Sequence, residues 1–574
     1  MIYHQILVVG GGLAGMRAAI EAWETKGKGG QPLDVAILSR VHPVRSHSGA
    51  AQGGVNASFA NAEGGEDDNA DKHAYDTVKG SDFLGDQDAI QVMAEMAVPC
   101  VTELEHWGAP FSRTPEGKIA QRPFGGAGYP RTCYSADKTG HIMLHTLFEQ
   151  TTKRQIKTYS EWMAVSLVRA GDRCVGVVAM DLLTGRLEVF RADAVIFATG
   201  GLGRIYQKTS NALINTGHGM ALAYWAGVPL KDMEFVQFHP TTLVGTNLLI
   251  SEAARGEGGY LYNSLGERFM KKYAPGVMEL APRDITARSE QTEIDEGRGF
   301  DNTYIQLDLR HLGLATIEEK LPGIRELSIT YAGVDPVEKP IPIQPGQHYT
   351  MGGIDCGISG ATMLPGFFAA GECACVSIHG ANRLGGNSLL ETIVFGKLAG
   401  QGAIEYVLGK SGGPTGEREL EDAFSQVQAR VSRLLKGEGE GTEDMPTIRR
   451  EMETVMTDKV GVFREKAPIQ EAVDKVKELK ERYQRGKLRY GGRKFNQDLL
   501  RGLELEGMLD VAETVAMGAV AREESRGSHY RIDFTSRDDV NWLKHTLAYH
   551  TPDGARLDYR PVTITKYPPV ERKY

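Results

Sequence analysis

The stretch that most constrains this chain lies at its start, where QILVVGGG at residues 5–12 runs directly into LAGMRAAIEA at 13–22. A short apolar run ending in glycines, a helical segment and a second apolar run, LDVAIL at 33–38, together predict a β-α-β unit. Gly10, Gly12 and Gly15 fall in the turn between strand and helix, where glycine allows a tight turn and close backbone approach. The helix N-terminus that follows favours an anionic pyrophosphate. A glycine loop can also be a turn without a ligand, but this placement favours a dinucleotide. The acid that binds ribose hydroxyls in NAD sites is expected about 20 residues on, at the end of the second strand. Ser39 and Arg40 stand there instead. A serine hydroxyl can still bond a ribose, whereas the acid that favours NAD is missing.

Later segments repeat the pattern. DAVIFA at 193–198 ends in TGGLG at 199–203, and GFFAAGE at 366–372 is again an apolar strand, a glycine and an acid. They predict a cofactor domain assembled from distant pieces, interrupted by an insertion at roughly 240–350, whose proline-rich exit KPIPIQP at 339–345 reads as a hinge or linker. Beyond about residue 412 Glu, Lys and Arg increase, and Val473, Val476, Leu479 and Tyr483 recur at helical spacing, so 417–520 reads as packed amphipathic helices. The tail from 525 reads as extended.

With 574 residues the chain exceeds one compact core, and length alone suggests roughly three to four domains. Its apolar runs fall short of the ~18 residues of a membrane span, so a membrane link is expected to pass through partners. The start leaves no room for a signal segment before the first strand, so the chain is expected to be cytoplasmic or to face the cytoplasm. A net charge of -9 spread along the chain argues against nucleic acid. Six cysteines show neither paired CxxC spacing nor the four-cysteine sets of iron-sulfur clusters, so no metal site is expected and electrons would have to leave the chain.

The segments QFHPT, SEAARGEG, PRD, QHYTMG and HGANRLGGNS each set a histidine, arginine or hydroxyl beside glycine or proline. Any one could be structural. Together they offer two arginines, two histidines and a hydroxyl, a set suited to a small dicarboxylate, since guanidinium forks match carboxylates in two places. His47, among small residues with no acidic or second histidine neighbour, fits neither a metal set nor an oriented general base.

A set of ordered motifs spans nearly the whole chain: RSHSGAAQGG, DTVKGSD, RPFGG, ADKTGH, ATGG, GRIY, QFHPT, RGEGG, HYTMGG, HGANRLGGNS and ESRGSH. By these the sequence resembles the flavoprotein subunit of succinate dehydrogenase and fumarate reductase, respiratory complex II. The resemblance implies an α/β fold: a Rossmann-like FAD-binding domain (1–239 and 349–411), an inserted α+β capping domain (240–348), a helical domain (412–525) and an extended C-terminal region (526–574). It implies FAD, held by Gly10, Gly12, Ala14 and Gly15 at the pyrophosphate and Ser39 at the ribose. Ser46, Ser48, Gly53 and Gly54 would lie along the flavin, with Glu372, Ser388 and Leu389 as later contacts, and His47 would be bonded covalently to the ring.

By the same resemblance His239, Ser251, His348 and Arg383 bind substrate, while Arg283 transfers a proton along a relay with Glu252 and Arg255. Succinate would be oxidised to fumarate, with the reverse reaction as the alternative. Electrons would pass to an iron-sulfur subunit, a cytochrome b-type membrane anchor and a quinone. Two positions depart from the common pattern: Ser251 replaces threonine and keeps the hydroxyl, and His218 replaces an aspartate that contacts FAD. L-aspartate oxidases lack the flavin-linking histidine. A self-contained soluble fumarate reductase would carry haem motifs, and a flavin-binding RNA-modification module would not need the substrate arginines and histidines.

Overall fold

The computed structural model describes residues 1–27, 30–409, 416–436 and 443–573. Its first elements are β1 (Ile2–Val9), α1 (Leu13–Glu24) and β2 (Val35–Ser39), the expected unit with ends shifted by a few residues. β1 pairs in parallel with β2 on one side and with β3 (Leu187–Phe197) on the other. Beyond β2 lies Lys157–Ser160, and beyond β3 the antiparallel arm Arg173–Asp181 and Trp162–Ala170. Phe367–Ala369 pairs with the second half of β3, bringing a late segment beside the glycine loop. Ile6, Leu7 and Val8 are wholly buried, as strands covered on both faces must be.

A second hydrophobic core, including Leu261, Ile305, Leu307 and Ile343, is built from the chain between Leu243 and Ile343. It surrounds an antiparallel sheet in which β4 (Val236–Leu243) pairs with β5 (Ile341–Thr350), followed by Ile305–Asp308 and Tyr260–Tyr262. The helix α2 (Arg283–Glu293) comes from the same part of the chain. The proline-rich exit is therefore not a hinge, because from Ile341 onward it is a buried strand. Pro345 lies where the ladder with β4 is interrupted between His239 and Thr242, so its missing N–H costs no pairing. Pro342 still offers its carbonyl to Val244 N–H.

Helices Glu417–Lys436, Met445–Lys459, Lys466–Gln484 and α3 (Gln497–Ala521) follow. Val473, Val476, Leu479 and Tyr483 are buried, as their spacing predicts. The expected boundary at 411 and 412 lies outside the described residues. The tail is extended but ordered as a hairpin, Lys544–Thr551 with Gly554–Pro561, which joins the sheet edge at Leu230–Lys231. Among the described residues no helix is long and apolar enough to cross a membrane.

Candidate active site

A cavity of about 430 Å³ runs from the glycine loop to the meeting of the two cores. Gly10, Gly12 and Ala14 line its start, at the N-terminus of α1. Gly10 has φ +122°, and a Cβ there would meet Ala198 O at 2.0 Å. Gly15 does not line the cavity; a Cβ on it would lie 1.9 Å from Gly10 O, so it lets helix and strand pack closely. Ser39 closes β2 at the cavity wall, and the neighbouring Arg40 is paired with Glu504 of α3. His218 also lines this end, where burial first, then Arg430 and Arg40, lowers its pKa to about 3 and keeps the imidazole neutral.

Further along, the cavity is lined by Ser46, Ser48, Gly53, Gly54, Glu372, Ser388 and Leu389. Ser48 Oγ accepts from Leu13 N–H at 3.3 Å. Ser46 Oγ and Thr199 Oγ1 are buried on this surface without a hydrogen-bond partner, and buried polar atoms of this kind call for a polar ligand. Burial pushes the Glu372 carboxyl up to about 8, against the pull of Thr350 N–H at 3.2 Å. The glycine cradle, the helix N-terminus and the orphan hydroxyls fit a dinucleotide. His47 lines the same space; burial and then the Arg204 charge lower its pKa to about 4, so the ring is neutral, and Nδ1 accepts from Ala212 N–H at 3.4 Å.

At the far end the cavity is lined by His239, Ser251, Glu252, Arg283, His348 and Arg383, while Arg255 lies behind this wall. Arg283, the first residue of α2, donates from Nε to Glu252 Oε2 at 2.7 Å and from Nη1 to Gln237 Oε1 at 3.1 Å. Glu252 also accepts from Gly125 N–H at 2.8 Å and lies 3.7 Å from Arg255 Nη2. Burial alone would raise its pKa, but Arg283 and Arg255 outweigh burial and hold it below the usual value.

His239 on β4 and His348 on β5 face each other with ring centres 4.8 Å apart. Burial, followed by the Arg283 charge, pushes both pKa values well below that of free histidine, so both rings are neutral. Nε2 of His239 is buried without a partner, as is Nε of Arg383. Arg383 Nη1 donates to Ser388 Oγ at 3.1 Å, and its guanidinium lies 4.4 Å from the centre of the Tyr349 ring. Burial, then repulsion from Arg283, lowers its pKa to about 9. Ser251 Oγ accepts from Ala253 N–H at 3.2 Å. The result is a buried site of two guanidinium groups, two neutral imidazoles and a hydroxyl, with the Glu252 carboxylate among them already held by Arg283. Such a site is complementary to a small dianion.

Several supporting residues carry no signal of their own in the sequence. Gln237 stands two positions before His239 on the same strand, a spacing that places both on one face. Tyr349 adjoins His348 and hydrogen-bonds Glu391, which in turn is 3.0 Å from His379. Ser210 Oγ lies 2.8 Å from His348 Nδ1, and 138 residues separate them in the chain, so only the fold reveals the pair.

A dinucleotide cradle opening into a buried dianion site defines the class: an FAD-dependent oxidoreductase. The FAD binding domain family matches residues 5–389, and the fumarate reductase flavoprotein C-terminal family matches residues 449–574. The fumarate reductase flavoprotein subunit of Mycobacterium tuberculosis is 47% identical, with 100% of this chain and 99% of the relative covered. The succinate dehydrogenase flavoprotein subunit of Coxiella burnetii is 44% identical over 98% of this chain and 96% of its own length. Among solved structures, E. coli quinol fumarate reductase superposes with a TM-score of 0.94 at 42% identity, covering 100% of this chain and 98% of that one. The Mycobacterium smegmatis Sdh1 complex gives 0.85 at 34% identity, covering 99% and 95%. The chain belongs to the flavoprotein subunits of succinate dehydrogenase and fumarate reductase.

Proposed function

We propose that this subunit oxidises succinate to fumarate with FAD bonded covalently to His47, and that Arg283 moves the proton. The observation that carries this reading is the Arg283–Glu252 pair, at 2.7 Å, set in the same cavity wall as His239, His348 and Arg383. FAD, once bound, supplies a two-electron acceptor for the hydride that leaves one methylene carbon of succinate. Arg383 and His348 hold one carboxylate, while His239 and Ser251 hold and twist the other. The side chain of Arg283 takes the proton from the adjacent carbon.

An arginine ordinarily keeps its proton, with a pKa above ~12. It can act only if the proton is passed on as it arrives, and Glu252 and Arg255 provide that route. The neutral His47 ring suits bond formation, because an imidazole, unlike an imidazolium, has a nitrogen lone pair to offer. With Nδ1 accepting from Ala212 N–H, Nε2 carries the ring proton, and bonding the flavin at Nε2 requires that proton to leave.

The same groups run the reverse reaction. Work mainly as a quinol:fumarate reductase is the second reading, favoured by the 47% identity to a fumarate reductase subunit. The solved relatives include a quinol-fumarate reductase with menaquinol molecules and Sdh1 in complex with UQ1. They support a link to a quinone, and we propose that it runs through an iron-sulfur subunit and a cytochrome b-type anchor at the cytoplasmic face of the membrane. We also propose the division into an FAD-binding domain (1–239 and 349–411), a capping domain (240–348), a helical domain (412–525) and a C-terminal region (526–574).

The covalent bond is tested by denaturing the protein in acid and looking for flavin fluorescence on the chain. Free flavin with none on the protein overturns it. Replacing His47 with serine is expected to leave FAD bound while succinate oxidation falls, because the histidyl bond raises the flavin potential. For the reaction itself, Arg283→Lys is expected to lower the turnover number by about 10²–10⁴, the usual worth of a positioned acid or base, with FAD content unchanged. Undiminished succinate oxidation in that variant overturns the assignment.

A further inference from the structure

Glu290 lies on α2, seven residues after Arg283, which is two helical turns and about 10 Å along the same face. It is 0 % exposed, and both carboxyl oxygens lack a hydrogen-bond partner. A buried carboxyl of this kind is costly to keep, and α2 shows how its other acids are handled. Asp284 is paired with Arg288 and Arg572, and Glu293 with Arg298, Tyr273 and Asn263. Glu290 alone of these is left bare.

Arg255 is its counterpart. Only Nη1 of its guanidinium has a hydrogen bond, to the Glu279 carbonyl, while Nε and Nη2 are buried and unbonded. The charges acting on Arg255 are those of Glu252, Arg283, Glu290 and Glu279, and Arg255 is the charge acting on Glu290. Arg255 pairs with Glu252 at 3.7 Å but makes no direct ion pair with Glu290, and the atoms that the two leave unbonded are suited to holding a buried water between them.

We propose that Glu290 is the fourth group of the proton path, a positioning residue that supplies and receives protons through Arg255. The inference rests on the Arg283–Glu252–Arg255 reading given above. In the fumarate direction the Glu290 O–H gives its proton through the water to Arg255, as Arg255 gives one to Glu252, Glu252 to Arg283 and Arg283 to carbon. Glu290 then takes a proton from bulk water, so each group ends as it began and one solvent proton is consumed. Succinate oxidation runs the same transfers backwards. Burial raises the pKa of Glu290 well above that of an ordinary glutamate, so it rests protonated and ready to donate.

The test uses the assembled, flavin-loaded complex with Glu290→Gln, Glu290→Asp and, in parallel, Glu252→Gln. In E290Q the turnover number is expected to fall about tenfold, at the low end of acid-base effects, with FAD content and succinate KM unchanged. The solvent deuterium isotope effect should grow and the pH profile should change shape, because proton supply becomes limiting. E290D, which keeps a titrating group, should recover part of the rate. Parental turnover and pH profile in E290Q overturn the inference. So does a loss matched by lower FAD content or a higher KM, which would mean that Glu290 only packs α2. If E252Q is impaired while E290Q is not, Glu290 alone is excluded; if E252Q is fully active, the relay reading beneath it fails.

Discussion

Arg383 shows how one residue carries the electrostatics of the site. Its guanidinium is buried, half-bonded and repelled by Arg283, which brings its pKa down to about 9. A bound dicarboxylate would replace the missing water and bring negative charge, favouring the charged arginine and raising that pKa again. Succinate binding near pH 9 is therefore expected to take up about half a proton, and near neutrality almost none. Calorimetry in buffers of different ionisation enthalpy measures this directly. Because burial keeps His239 and His348 neutral, they do not add a second uptake near neutrality. Truncating the charged contact in Arg383→Gln should cost about 1.5–3 kcal/mol of binding, read as a rise in succinate KM of about tenfold to more than a hundredfold. Arginine and histidine beside glycine or proline were legible as a dianion site because residue type alone states that chemistry, although His239 and His348 lie on strands and Arg283 opens a helix rather than a loop. Their protonation states were not, since these arise from burial and from charges contributed by other segments.

At the scale of elements, the turn from β1 into α1 is the most exacting contact. Gly15 sits where a Cβ would fall 1.9 Å from Gly10 O, so Gly15→Ala must push the helix off the strand. Overpacking of this sort costs about 1–3 kcal/mol, and here it also displaces the helix N-terminus that lines the cavity. The variant is expected to purify with reduced FAD and a lower unfolding midpoint, measured by flavin absorbance and thermal scan. Apolar runs and glycine spacing made this unit readable to within a few residues. The strand β5 was not readable, because KPIPIQP has the composition of a linker and its Pro345 is tolerated through the irregular pairing with β4.

At the scale of the molecule, the C-terminal hairpin is tied to the rest by His545. Its Nδ1 lies 2.7 Å from Asp232 and its Nε2 3.2 Å from Asp86. Burial opposes charging the ring, but the two carboxylates outweigh it and raise the pKa to about 9. A raised folded pKa means that this stabilisation is complete below the unfolded value of about 6.5 and is lost as pH rises through about 9. The unfolding midpoint at a fixed scan rate should fall across that window. Breaking the buried pair in His545→Gln should cost about 3–5 kcal/mol near neutrality and flatten the alkaline fall.

The sequence by itself determined the β-α-β start, the amphipathic helices and a set of residue types suited to a dinucleotide and a small dicarboxylate. These follow from local periodicity, turn chemistry and residue type, which a linear chain displays openly. Only the tertiary structure decided that Gln237 supports Arg283 across 46 residues, that His239 meets His348 across two strands and that Glu290 is left bare behind Arg255. Those outcomes depend on which distant surfaces share a buried space, and burial is what sets the cost of an unpaired charge and hence the direction in which a proton moves.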